Sequence, residues 1–399
     1  MNPGRTGRAR WFLLAALLLV ALNLRAPLTS LPPVVGQVSD ALALTPAQAG
    51  LLTSVPVLCF ALLTPPAALL LARLGPERSV LVAVVGVLAG ELLRSAGSVP
   101  AALAGTAVLG AGITVGNVAV PVVIARDFRD RSAAVTGAYS ATMNLGSALT
   151  TTLTVPLAAV WGWQWALAGW GVLAVVATAA WGGAMRSTAP AARLDGAQHG
   201  SGAPHLGRPM AVLTAVLCVA FSGQAFAYYA ITAWLPEILH SRLGLDLAAA
   251  GGAAAPFQLC AVAGSFAVPL ALSRRVPARA VSAVVSLCWL SLPTGMLLAP
   301  GATGLWVALA GAAQGGSFTL IFTLMAQRAP SVAAARRASA IVQTTGYACA
   351  SLAPTVLGAV HTASTGPGSD GWTAPLLLVL GVLTVMGGMM LVATRPVRG

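Results

Sequence analysis

Charge is the scarcest feature of this 399-residue chain. Only 8% of its residues are Asp, Glu, Lys or Arg, against roughly a quarter in soluble domains. With 57% hydrophobic residues and a mean hydropathy of +0.85, that scarcity excludes a soluble globular fold and leaves a polytopic membrane protein. Lysine is missing altogether. All 22 basic residues are arginine, and together with the abundant Ala and Gly this points to GC-rich bacterial coding rather than to a function. The five cysteines, Cys59, Cys218, Cys260, Cys288 and Cys349, lie inside apolar runs without CxxC spacing, which excludes a disulfide framework and a zinc site. The four histidines, His199, His205, His240 and His361, fall in loops or at helix ends. No Ser/His/Asp set, metal cluster or phosphate-binding loop is present in the sequence, so no catalytic residue, metal or cofactor is expected, and neither is ATP-driven pumping by this chain alone. The net charge of +13 would suggest nucleic acid in a soluble protein, but here the arginines cluster between apolar runs, where topology accounts for them. A nucleic-acid partner is therefore excluded.

What is present is length of apolar sequence. Windows of about 20 apolar residues predict twelve membrane-spanning helices, near 11–35, 47–71, 79–97, 100–124, 133–158, 163–185, 210–238, 248–272, 279–299, 303–327, 338–361 and 373–394. The first is expected to be retained rather than cleaved as a signal peptide, since Arg25 interrupts it and many apolar segments follow. With the N-terminus inside, 19 of the 22 arginines fall on the cytoplasmic side, Arg94 and Arg242 fall outside, and Arg25 lies within the membrane. The positive-inside rule then predicts two cytoplasmic termini. The polar, Gly/Pro/Ser-rich segment 186–209 reads as a cytoplasmic linker between an N-terminal six-helix half, 1–185, and a C-terminal one, 210–399. The halves repeat: an offset of 201 aligns Leu42 with Leu243, Gly50 with Gly251 and Leu58-Cys59 with Leu259-Cys260, and carries Arg73, Pro76 and Arg78 onto Arg274, Pro277 and Arg279. Gly162-Trp163 pairs with Gly371-Trp372 at a slightly different offset. Six helices per half make this a parallel repeat about an axis along the membrane normal.

Arg25 is the anomaly. An unbroken apolar run from Trp11 to Leu22 places it near mid-bilayer, where a charge costs about 2.5–3.5 kcal/mol on insertion scales. Two roles are open for it: a substrate-facing anion site, or a structural arginine bonded to carbonyls of neighbouring helices. Asn23 and Thr29 accompany it, and Pro27 and Pro32-Pro33 release backbone carbonyls that suit a polar cavity. In the second half Leu235-Pro236 corresponds to Leu31-Pro32, which sets Arg25 opposite Tyr229 in a helix that also carries Gln224, Tyr228, Thr232 and Trp234. Helix 4 contributes Asn117 beside Gly110, Gly112 and Gly116, glycines suited to close helix packing. Helix 10 adds Gln314 and Ser317, and helices 5 and 11 add Tyr139, Asn144, Gln343 and Tyr347. For each of these an ordinary interhelical hydrogen bond stands beside the cavity-lining role. Two acids are candidates for proton coupling. Glu237, after Pro236, should lie near the external mouth; Glu91, three residues before Arg94, also reads as one member of a helix-face ion pair. Thr45 and Asp246 stand where helix caps are needed.

The segments LNLRAPLTSLPPVV, GAGITVGNVAVPVVIARDF, YYAITAWLPEIL and GYACASLAPTVLGAVH resemble the cyanate and 2-nitroimidazole transporter family within the major facilitator superfamily, over almost the whole chain. The resemblance implies a twelve-helix, all-α carrier that moves a small polar or anionic solute, cyanate-like or nitroimidazole-like, across the bacterial inner membrane by alternating access, its halves rocking around a midplane site built from helices 1, 4, 7 and 10. It further implies a gating loop between helices 2 and 3, of which Arg73, Gly75 and Arg78 are present while Ala68 and Ala72 stand where a glycine and an aspartate are usual. The partners expected are the lipid bilayer and a small solute, with protons as a candidate co-substrate, and a monomer is expected. A broad-specificity drug exporter is the alternative within transport. A transport-dead membrane sensor is the alternative outside it, but the largest cytoplasmic segment, 186–209, supplies no output domain.

Overall fold

The computed structural model describes residues 7–128, 132–186, 207–330, 332–366 and 369–395. Most of the expected linker and both extreme termini lie outside the described residues. Among those described, almost everything is helix, and the helices fall into twelve crossings.

The first crossing is not the single helix expected over 11–35. Helix α1 (Gly7–Asn23) stops, Arg25 takes φ −135° and ψ −35°, and the chain resumes as a four-residue helix α2 (Ala26–Thr29), a 3-10 turn (Pro32–Val34) and α3 (Val35–Leu42). The cause is local: Pro27, Pro32 and Pro33 have no amide hydrogen to give to carbonyls four residues earlier, and three such losses in seven residues leave no continuous ladder. Helix α4 (Pro46–Leu74) begins with a reciprocal cap, the Thr45 amide donating to Gln48 Oε1 at 2.9 Å and the Gln48 amide to Thr45 Oγ1 at 3.3 Å. Then come α5 (Pro76–Arg94), α6 (Val99–Asp127), α7 (Ser132–Gly169) and α8 (Gly171–Arg186). Gly162, at φ +80°, divides the long α7 run into the fifth and sixth crossings.

The second half opens differently. Helix α9 (Arg208–Leu243) runs 36 residues without a break, although Pro236 corresponds to one of the prolines of the first crossing. It is followed by α10 (Leu247–Ser273), capped by Asp246 accepting from the Ala249 amide at 2.8 Å, α11 (Ala278–Leu298) and α12 (Thr303–Arg328). The eleventh crossing, expected as one helix over 338–361, is α13 (Val332–Ala350) and α14 (Ala353–Ser364), parted where Pro354 cannot donate. A two-residue ribbon, β1 (Thr365–Gly366) with β2 (Ser369–Asp370), leads into α15 (Thr373–Ala393).

The chain packs as two compact units, Met1–Leu44 with Leu62–Gly200, and Thr45–Ala61 with Ser201–Gly399. The first half of α4 belongs with the second unit: its Ser54 hydroxyl lies 2.9 Å from that of Thr355, and its Gly50 lies against the same threonine. The repeat is visible in the backbone. Ala43 and Gly244, 201 residues apart, both turn left-handed at the end of a helix, at φ 51° and 65°. Gly162 and Gly371, at φ 80° and 70°, each precede a buried tryptophan, Trp163 and Trp372.

Candidate functional site

In the first unit the site is built on the break at Arg25. Gly146 of α7 comes so close to α1 that a methyl group there would lie 2.9 Å from the Leu22 carbonyl, and this close approach brings α7 side chains beside the break. Asn144, two residues earlier on α7 and 4% exposed, donates its amide to the Ser140 carbonyl at 3.0 Å and presents its oxygen outward from that anchor. Arg25 Nη1 donates to that oxygen at 2.8 Å. The guanidinium is half-buried, and this bond ties it to α7. On the other side, Leu24 fills the space left by Gly116 of α6. The next residue, Asn117, accepts from the Tyr139 hydroxyl of α7 at 3.4 Å.

Asn23 and Thr29 make packing contacts. Asn23, 1% exposed, donates to the carbonyls of Leu19 and Leu173 at 2.8 and 3.1 Å, tying α1 to α8. Thr29, also 1% exposed, lies 2.8 Å from the Thr150 hydroxyl of α7. Both hold the two ends of the break.

In the second unit aromatic rings gather. Tyr229 lies 4.9 Å from Tyr228, 6.4 Å from Phe60 and 6.5 Å from Tyr347 between ring centroids, and Tyr347 lies 5.6 Å from Phe60 and 5.5 Å from Phe221. These are edge-to-face and tilted arrangements, which pack the rings against one another. Tyr228 donates to Gln258 at 3.4 Å. Gln314 is 4% exposed, and its backbone carbonyl accepts from Gln224, whose own oxygen takes the Trp289 indole hydrogen at 2.7 Å. Gln343 bonds within its own helix to Ser339 at 2.8 Å. Trp234 donates to the Pro354 carbonyl at 2.8 Å and stands 5.7 Å from Trp372, so it closes the gap between α13 and α14 rather than joining the tyrosines.

The two acids part company. Glu237 is half-buried two turns before the end of α9. Glu91 is 1% exposed and accepts no hydrogen bond, and Arg94 reaches the break in the first crossing instead of forming the expected helix-face bond with it. At the turn between α4 and α5, Arg73 and Arg78 are exposed and Gly75 turns at φ +80°. The interactions there run through Glu77, whose carboxylate lies 2.6 Å from Arg126 and whose carbonyl accepts from Trp181 at 2.9 Å. Arg126 also grips Asp127 at 2.7 Å. Burial lowers its proton affinity, but the bonds to Asp127 and Glu77 outweigh that and hold the guanidinium above its ordinary range.

Phe60, Gln258 and the roles of Glu77 and Arg94 were not foreseen. Phe60 is one aromatic in an apolar run and carries no sequence signal. The sequence puts Arg94 outside the membrane, where an arginine carries little cost, so its 2% exposure carried no signal either.

A chain of many long apolar helices, with a positive charge held at a helix break, is the architecture of a membrane carrier. The family model of the Major Facilitator Superfamily matches residues 12–354, and the chain belongs to that superfamily. It is 34% identical over 397 residues to the 2-nitroimidazole transporter of Escherichia coli, covering 98% of each chain. It is 28% identical over 387 residues to the cyanate transport protein CynX of the same organism, covering 94% of this chain and 96% of that one. A crystal structure of a bacterial homologue of the human lysosomal transporter Spinster shares the fold at TM-score 0.75 and 17% identity, over 98% of both chains. The protein is thus a secondary active transporter of small solutes, and not an enzyme.

Proposed function

We propose that this transporter carries a small, planar, electron-rich heterocycle of the nitroimidazole kind, and that Arg25 is its principal polar contact. The observation behind this is the half-buried guanidinium held by Asn144 at a helix break. Such a group suits nitro oxygens or ring nitrogens, which accept hydrogen bonds in one plane. Asn117 is a further candidate contact in the first unit. The relationship to the 2-nitroimidazole transporter supports the same choice, and the more distant CynX keeps a small anion as the competing solute. The arginine-rich ends of the helices are taken as cytoplasmic, with the chain in the bacterial inner membrane, both termini inside and the protein acting as a monomer.

The test is flux of 2-nitroimidazole in vesicles carrying the wild type, Arg25→Ala and Arg25→Lys. Loss in Arg25→Ala with partial retention in Arg25→Lys is expected. Wild-type flux in both variants at normal expression removes Arg25 from the mechanism. Cyanate flux without 2-nitroimidazole flux moves the solute to the small-anion class.

A further inference from the structure

Glu91 is a carboxyl that the transport reading leaves without a task. It lies on α5, 1% exposed, and neither of its oxygens accepts a hydrogen bond. A methyl on Gly171, the first residue of α8, would come within 3.6 Å of Glu91 Oε2, so the group lies in the seam between α5 and α8 that a glycine leaves open. A dehydrated carboxylate with no donor costs several kcal/mol, and a bound proton removes that cost.

The surroundings name its electrostatic partner. At this level α6 offers Gly105 and Leu109 to the Gly90–Arg94 turn, and α8 offers Gly171; none of them titrates. Elsewhere on the helices packed against α5, Arg10, Arg126, Asp127 and Arg186 stand at the arginine-rich ends, and α7 contributes Tyr139, which bonds to Asn117. Arg25 stands in the break. Arg94, one turn from Glu91 on the same helix and 2% exposed, is the buried cation of α5. Arg94 in turn holds the break: Nη1 donates to the Pro27 carbonyl at 2.8 Å and Nη2 to the Ser30 hydroxyl at 3.2 Å, while Nε has no hydrogen-bond partner.

We propose that Glu91 is the proton-binding group of this transporter and that Arg94 couples it to the solute site. When Glu91 is ionised it competes for the Arg94 guanidinium. When it is protonated, Arg94 is left to Pro27 and Ser30, and the break is held more tightly. Arg25 precedes Pro27 by two residues, so its placement follows. By linkage, a solute bound at Arg25 changes proton affinity at Glu91 to the same extent. The proposal rests on Arg25 as solute contact, and the experiment separates the two.

Infrared titration of the purified transporter should show the carbonyl stretch of a buried protonated carboxylic acid. That band is expected to be lost in Glu91→Gln and displaced in Glu91→Asp, and its midpoint should move when 2-nitroimidazole is added to the wild type. In Arg94→Gln and in Arg25→Ala the band should remain while 2-nitroimidazole no longer moves it. A Glu91→Gln spectrum identical to wild type overturns the proposal. So does a wild-type midpoint that stays fixed while 2-nitroimidazole raises the protein's unfolding temperature. A midpoint that still moves in Arg25→Ala overturns the Arg25 reading and leaves Glu91 standing.

Discussion

Replacing Gly105 by alanine tests how the Arg94 clamp is built. Helices α5 and α6 meet along a seam of glycines, and a methyl at position 105 would overlap the Arg94 amide nitrogen, lie 2.6 Å from its Cα and 2.7 Å from the Gly90 carbonyl oxygen. All three are backbone atoms, so no side-chain rotation can make room and the helices must separate. Overpacking of this kind costs about 1–3 kcal/mol. Alanine's better helix propensity returns about 0.5–1 kcal/mol, so the net loss should be of the order of 1–2 kcal/mol. Gly381 in α15 supplies the control, because nothing lies within 4 Å of the methyl that alanine would add there. Gly381→Ala should raise stability by about 0.5–1 kcal/mol. The assay is thermal unfolding of the purified protein in one detergent, monitored by loss of the monodisperse peak. The two variants should move in opposite directions, and Gly105→Ala should also weaken 2-nitroimidazole binding, since its strain falls on Arg94. If Gly105→Ala unfolds at or above the wild-type temperature, the seam is looser than described and the clamp argument fails with it.

Two further outcomes follow from single bonds. Asn144→Leu removes a charge-assisted bond to Arg25, worth about 1.5–3 kcal/mol, and should weaken 2-nitroimidazole binding by tenfold or more in a thermal-shift titration; unchanged affinity would mean that Asn144 does not position the guanidinium. Trp289→Phe strips the indole donor from the buried Gln224 oxygen and should cost about 1–3 kcal/mol of stability. A smaller loss would show that water reaches that oxygen.

Twelve apolar windows were enough to number the crossings, because burial of backbone polar groups inside helices is the only option in lipid. The duplicated turns were also legible: Gly162 and Gly371 sit before their tryptophans in both halves, and Thr45 and Asp246 cap where their positions demand. Arg25 announced itself through its cost. What the sequence did not disclose is which polar residues are consumed by packing. Asn23 and Asn144 look alike on paper, and only the closeness of α8 to one and of Arg25 to the other separates a tie between helices from a rest for the guanidinium. Nor did the proline pattern settle continuity. The first crossing breaks where Pro27, Pro32 and Pro33 fall within seven residues, whereas Pro236 is absorbed within α9 and Pro56, Pro65 and Pro66 within α4.

That contrast gives the duplicated halves unlike mechanics. At about 1.5 Å per residue, the 36 residues of α9 make a rod far longer than the hydrocarbon is thick, and such a rod moves at one face only by moving at the other. The first crossing is α1 and α3 joined through the broken stretch Leu24–Val34, which Arg94 holds at Pro27 and Ser30. Corresponding segments of the two halves are thus one continuous rod in α9 and a broken one in the first crossing.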